Sequence, residues 1–216
     1  MAGSLFRQAG KVVLAILFLT VLHTHGITAQ ERAAIQTIVF IRHAEKPKGG
    51  FGQLTCQGLN RALALAPMIA QSFGKPDAIF APNPGHPKMD AGVPYDYVRP
   101  LATVEPTAVL FGLPVDVSLD LYDTRGLVAA LEKRRARDRE VFILVAWEHK
   151  QIASMVRAIL SSHGADEAAI KQIDDWDRND FDSMYVVAVA QLKDGTRATF
   201  EHKHEGLDGQ PNTCPH

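Results

Sequence analysis

The 216-residue chain has only two cysteines, Cys56 and Cys214, and only 7% of its residues are aromatic. Two thiols allow one disulfide and exclude a dense disulfide framework, so folding must rest on an apolar core. An excess of charge is missing too. The 23 basic side chains are matched by 24 acidic ones, for a formal net charge of −1. With no clustered basic face, nucleic acid is not an expected partner. No internal repeat or low-complexity tract is present, which leaves neither a repeat array nor a compositionally disordered segment. The most apolar stretch, Val12–Leu22, is shorter than the roughly 20 residues a membrane-spanning helix needs.

That stretch has a different reading. Arg7 and Lys11 precede it and Ile27-Thr28-Ala29 follows it. A basic start, a short apolar run and a small residue at the cut position form a secretory signal. Residues 1–29 are therefore expected to be a cleaved signal peptide, and residues 30–216 a single catalytic domain. The product would be periplasmic or secreted, with no stable membrane anchor after cleavage; an uncleaved N-terminal anchor is the alternative. In an exported chain, two cysteines suggest a Cys56–Cys214 disulfide that pins the polar tail beside the first helix. Two unpaired thiols are the alternative.

Hydrophobic patterning gives strands alternating with helices. Thr37–Ile41 is a buried strand. Thr55 caps a helix reaching about Phe73, with Leu59, Leu63, Leu65, Met68 and Ile69 on its apolar face, and Pro67 should kink or split it. Asp77–Ala81 is a second strand, followed by a long loop over Pro82–Tyr97. Val98–Gly112 is helical with a kink or break expected near Pro106, and Val115–Leu121 is extended. A charged helix covers Thr124–Arg137. Glu140–Ala146, almost continuously apolar, reads as a central parallel strand. Helices to Ser162 and over Ala165–Ile173 come next, and Lys193-Asp194-Gly195 turns a terminal hairpin. The expected fold is α/β: a three-layer sandwich with a largely parallel central sheet, helices on both faces and a C-terminal antiparallel hairpin.

Two apolar strands each end in a histidine beside a charged residue, Arg42-His43 and Glu148-His149. In parallel sheets, ligands bind in the crevice beyond the strands' carboxyl ends. If the two strands are neighbours, both imidazoles reach that crevice, and Arg99 at the start of a helix can join them. Guanidiniums suit a tetrahedral dianion because their planar fork matches phosphate oxygens and keeps its charge. Taken alone, each of these residues is as readily a solvated or paired surface group.

Taken in order, Arg42-His43-Ala44-Glu45-Lys46-Pro47, Leu54-Thr55-x-x-Gly58-x-x-Arg61-Ala62, Arg99 with Thr103 and Pro106-Thr107-Ala108, and His149 resemble the histidine phosphatase superfamily, the phosphoglycerate-mutase-like or acid-phosphatase-like fold. The resemblance implies a phosphatase acting on phosphate monoesters without metal or other cofactor. His43 would be the nucleophile, forming a covalent phosphohistidine, while Arg42, Arg99 and His149, with Thr55 nearby, would bind the substrate. The proton donor is open: Glu148, in Trp-Glu-His rather than Gly-His, is the first candidate, and Asp120 or Asp123 would serve in one branch of the family. Ala44 stands where well-known members have Gly.

His86, Lys88, Asp90, Tyr95 and Tyr97 in the long loop suggest a small polar phosphorylated substrate such as a sugar or polyol phosphate. Gly49, Gly50 and Gly52 read as a flexible lid. His202-x-His204 with His216 is too sparse a donor set to imply a metal. The competing readings are a non-catalytic phosphate-binding protein of the same fold and a structural envelope protein.

Overall fold

The computed structural model describes residues 34–215; the expected signal peptide lies outside them. The elements run β1 (Ile35–Arg42), α1 (Cys56–Ser72), β2 (Ala78–Phe80), β3 (Lys88–Asp90), β4 (Val93–Tyr95), α2 (Arg99–Phe111), β5 (Val115–Asp116), α3 (Thr124–Lys133), β6 (Val141–Trp147), α4 (His149–Ser162), α5 (Glu167–Lys171), β7 (Ser183–Leu192) and β8 (Gly195–His204). Six strands form one sheet in the order β5-β2-β6-β1-β7-β8. The first four lie parallel, and β7 and β8 extend the sheet as an antiparallel hairpin.

Alternation along the strands builds two cores. Ile38, Phe40, Ile143 and Val145 pack on one face with Leu127 of α3 and Ile152 and Val156 of α4. Val39, Ile41, Leu144 and Ala146 pack on the other with Leu65 and Ile69 of α1 and Val104 of α2. Burial on both faces explains why β6 is apolar throughout rather than alternating. The result is the three-layer sandwich.

Four local expectations change. Helices α1 and α2 run unbroken through Pro67 and Pro106. The carbonyl each proline leaves unpaired, at Leu63 and Ala102, belongs to a residue that is exposed or half-buried, so water can satisfy it. Leu59 and Leu63 face outward, and α1 buries Ala62, Leu65, Ala66 and Ile69 instead. The extended piece after Val115 stops after two residues, because the Asp116 side chain takes the Ser118 amide in a turn. The loop 82–97 holds a hairpin of its own, β3–β4, separate from the main sheet. Its two turn residues, Ala91 and Gly92, both have positive φ. Alanine is rarely found there, so the usual Asn-Gly or Asp-Gly signal is missing.

Candidate active site

Register decides what meets at the sheet's carboxyl edge. β1 and β6 pair so that Arg42 lies opposite Trp147, and the His43 amide donates to the Trp147 carbonyl at 3.4 Å. The next residues on each strand, His43 and Glu148-His149, therefore leave the sheet side by side. Arg42, His43, Arg99, Glu148 and His149 line one cleft of about 630 Å³, together with Lys46, Lys88, Asp90 and Phe181 among others.

The nucleophile candidate is held firmly. His43 is 1% exposed. Its Nδ1 lies 2.7 Å from the Ala44 carbonyl; a carbonyl only accepts, so Nδ1 carries the hydrogen and Nε2 keeps its lone pair. The Ala44 amide donates to Thr103 Oγ1 at 2.9 Å, and that hydroxyl donates to the Arg99 carbonyl at 2.9 Å, tying the His43 loop to α2. Tyr97 packs edge-on against the imidazole at 5.9 Å, with Phe181 at 6.1 Å. Burial, then the charges of Arg42 and Arg99, hold the His43 pKa well below the ordinary imidazole value. The same causes in His149, burial and then Arg42, lower it to about 4 against the pull of Glu148. Both imidazoles are neutral near pH 7.

Both guanidiniums are buried, Arg42 to 2% and Arg99 to 1% exposure. Arg42 donates to the carbonyls of Arg178 and Asp180 at 2.7 and 2.9 Å and stacks 3.9 Å over Phe181. Burial lowers its pKa to about 10, which still leaves it charged. Arg99 donates to both oxygens of Asp90, at 2.5 and 3.2 Å. Among the described residues the Nε of each guanidinium finds no partner, nor does His149 Nδ1, which stands 3.2 Å from Glu148 Oε1 but off hydrogen-bond geometry. Buried donors without acceptors are costly and rare. The two guanidinium nitrogens are such donors, and the guanidiniums and imidazoles that line this one cleft give it capacity for an oxyanion.

Other expected site residues fall differently. Thr55 does not line the cleft: its hydroxyl caps α1, accepting from the Gly58 amide at 3.1 Å, and donates to the Glu45 carbonyl at 3.3 Å. Asp120 pairs with His86, and Asp123 caps α3; neither lines the cleft. Glu148 does, yet Oε1 accepts from Lys88 Nζ and Oε2 from the Lys150 amide, each at 2.9 Å. Cys56 and Cys214 stand at disulfide distance, with Cα atoms 4.5 Å apart.

The long loop is expected to meet the substrate, but the ion pairs of its Lys88 and Asp90, and the role of Arg61, are not legible from the sequence. Lys88 and Asp90, two apart on β3, both face the cleft, where Lys88 meets Glu148 and Asp90 meets Arg99, Lys46 and the Gly52 amide. Burial would raise the Asp90 pKa, but Arg99's hydrogen bonds and charge win and lower it; burial lowers that of Lys88. Arg61, 1% exposed, gathers four carboxylates: Glu45, Asp182, Glu205 and Asp208, at 2.9, 3.0, 2.8 and 2.7 Å. It joins the His43 loop, α1, the start of β7 and the tail. Gly58 permits this, because a Cβ there would collide with the backbone of Glu45.

This architecture is the phosphoglycerate-mutase-like fold. A protein assigned as the phosphohistidine phosphatase SixA from Nakamurella multipartitia superposes with a TM-score of 0.53 at 17% identity, covering 80% of this chain and 98% of its own. A mycobacterial glucosyl-3-phosphoglycerate phosphatase, solved with inorganic phosphate, gives 0.54 at 15% identity over 76% and 95%. A phosphoglycerate mutase from Plasmodium falciparum gives 0.51 at 12% over 81% and 92%. At these identities the likeness establishes the fold. No family model and no curated protein matches the sequence itself.

Proposed function

We propose that this chain is an exported phosphatase that hydrolyses small phosphate monoesters through a covalent phosphohistidine on His43. The observation that carries the reading is the buried, neutral His43, with its Nδ1 committed to Ala44, in one cleft with the buried guanidiniums of Arg42 and Arg99. Phosphatases among the fold's solved neighbours support it.

In this reading Arg42, Arg99 and His149 hold the phosphoryl oxygens and offset the charge that spreads over them in the transition state. The Nε2 lone pair of His43 attacks phosphorus, the P–O ester bond breaks, and the leaving oxygen takes a proton. Water then attacks the phosphohistidine, the P–N bond breaks, and inorganic phosphate departs with His43 restored. The Glu148–Lys88 pair, a titratable pair that lines the cleft, supplies and recovers the proton. All the positive charge this needs comes from side chains. The Cys56–Cys214 pair, at disulfide distance, supports export to an oxidising compartment. Among the described residues, no helix is long and apolar enough to cross a membrane.

The test is a labelled-phosphate trap with the wild-type protein and a His43→Ala variant. Acid-labile, base-stable label on the wild type and none on the variant, with turnover lost, is the expected result. Phosphate binding without turnover or label in the wild type would instead make the chain an anion-binding protein of this fold.

A further inference from the structure

The cleft holds more positive charge than one phosphoryl group uses. Seven cationic side chains line it against two carboxylates, Asp90 and Glu148. Those two are already engaged by Arg99, Lys46 and Lys88. The chain as a whole is close to neutral at −1, so the residues outside the cleft are net acidic. Basic charge has been concentrated at one place.

The surplus lies at the rim. Lys48 comes from the loop after β1, Lys150 from the first turn of α4, and Arg178 from the loop before β7. All three are exposed, and among the described residues none has an ion-pair partner. A single exposed lysine needs no explanation beyond solvation. Three from separate segments, converging on the mouth of one cleft, make a focused positive field. It lies outside the deep site of Arg42, His43 and Arg99, where the phosphoryl group would sit, and so faces the leaving group.

Resting on the phosphatase reading above, we infer that the substrate carries a second anionic group, a phosphate or a carboxylate, on its leaving-group side, held by Lys48, Lys150 and Arg178. A sugar phosphate with an otherwise neutral sugar fits the deep site but leaves this rim unused. A cleft of about 630 Å³ accommodates a doubly charged molecule of sugar size.

The experiment compares kcat/KM for three esters of one sugar: glucose 1-phosphate, glucose 1,6-bisphosphate and glucuronate 1-phosphate. The doubly anionic esters should be preferred by about tenfold or more, with the gain falling as ionic strength rises. Preference for only one of them identifies the second anion as phosphate or carboxylate. Lys48→Glu, Lys150→Glu and Arg178→Glu should each bring the ratio toward one, whereas Lys133→Glu, the same charge change on α3, should leave it in place. Equal kcat/KM for all three esters, or equal losses on charged and neutral leaving groups, would overturn the inference while leaving the phosphatase reading intact. No turnover of any ester and no phosphohistidine label would overturn both.

Discussion

Asp90 grips Arg99 from across the cleft, its two carboxylate oxygens taking both terminal nitrogens of the guanidinium at 2.5 and 3.2 Å. Asp90 sits on β3 of the small hairpin and Arg99 at the start of α2, so a carboxylate satisfies the fork that the proposed reaction assigns to phosphate. An incoming phosphoryl group meets Arg99 with part of its charge already offset. Replacing Asp90 by Asn should therefore tighten competitive inhibition by inorganic phosphate, by about three- to tenfold. Breaking a buried pair also leaves a charge uncompensated, so the variant should lose on the order of 2–4 kcal/mol of stability. Inhibition constants together with a urea titration check both. Unchanged phosphate affinity would mean that Asp90 only anchors the hairpin.

The two imidazoles share a cause for their low basicity. After burial, the charge of Arg42 is the largest influence lowering both His43 and His149. Their ring protons, followed by NMR, should titrate below pH 6.5, His149 near 4 and His43 well under the ordinary value. In an Arg42→Gln variant both midpoints should rise, because a neutral side chain no longer opposes protonation. The kinetic consequence has a definite sign: the proposed nucleophile stays unprotonated as pH falls through 6.5, and its acid limb lies lower. A His43 midpoint at 6.5 that ignores the Arg42 change would contradict this electrostatic account.

The parts of the site carried by long apolar strands are legible in the sequence alone. Thr37–Ile41 and Glu140–Ala146 announce themselves by continuous hydrophobicity, and the residues just past a buried parallel strand must emerge at its carboxyl edge. That logic places Arg42, His43, Glu148 and His149 together. The long loop's polar residues suggest a substrate contact, but nothing in that logic pairs Asp90 with Arg99. The strands Lys88–Asp90 and Val93–Tyr95 are three residues each, show no apolar alternation and are joined through an alanine. Charge pairs such as Lys88–Glu148 join residues 60 apart in sequence, and no local pattern encodes them. Thr55 is legible as a helix cap but not as absent from the cleft lining, because a cap signal says nothing about which way the helix start faces.

Glu148 and Lys88 share one contact at 2.9 Å, and Lys88 also lies over the Tyr97 ring. If this pair protonates the leaving group, its removal should matter only where protonation is needed. Glu148→Gln and Lys88→Met should slow hydrolysis of alkyl phosphates by roughly 10²–10⁴-fold. Aryl phosphates that depart as stable phenolates should be barely affected. Plotting log kcat/KM against leaving-group pKa for wild type and variants reads this directly, with a steeper slope in the variants. Equal losses on both ester classes would make the pair a positioning element for His149 instead.

Arg61 tests how far the site depends on its scaffold. One guanidinium satisfies carboxylates from four segments, including Glu45, two residues beyond His43. Arg61→Ala should cost about 3–5 kcal/mol, since it strands buried carboxylates. Arg61→Lys keeps the charge but not the fork, so it should recover only part of that loss. Denaturant midpoints rank the three proteins, and full recovery by lysine would show that charge alone suffices.

The tail fastens to the same helix at three points. Asn60 donates to the carbonyls of Pro211 and Thr213 at 2.9 and 2.8 Å, Arg61 holds Glu205 and Asp208, and Cys214 meets Cys56. The covalent link closes a loop spanning a sequence separation of 158, so its main effect is to restrict the unfolded chain. Cys214→Ser, or reduction of the wild type, should cost about 2–4 kcal/mol. It should also raise the denaturant m-value, because an unlinked chain exposes more surface on unfolding. Asn60→Ala removes only the exposed hydrogen bonds and should cost about 1 kcal/mol or less. Reduction that shifts neither midpoint nor m-value would mean that the two thiols are not bridged in solution. A drop in midpoint at constant m would place the effect in the folded tail, and the Asn60 and Arg61 contacts would then account for it.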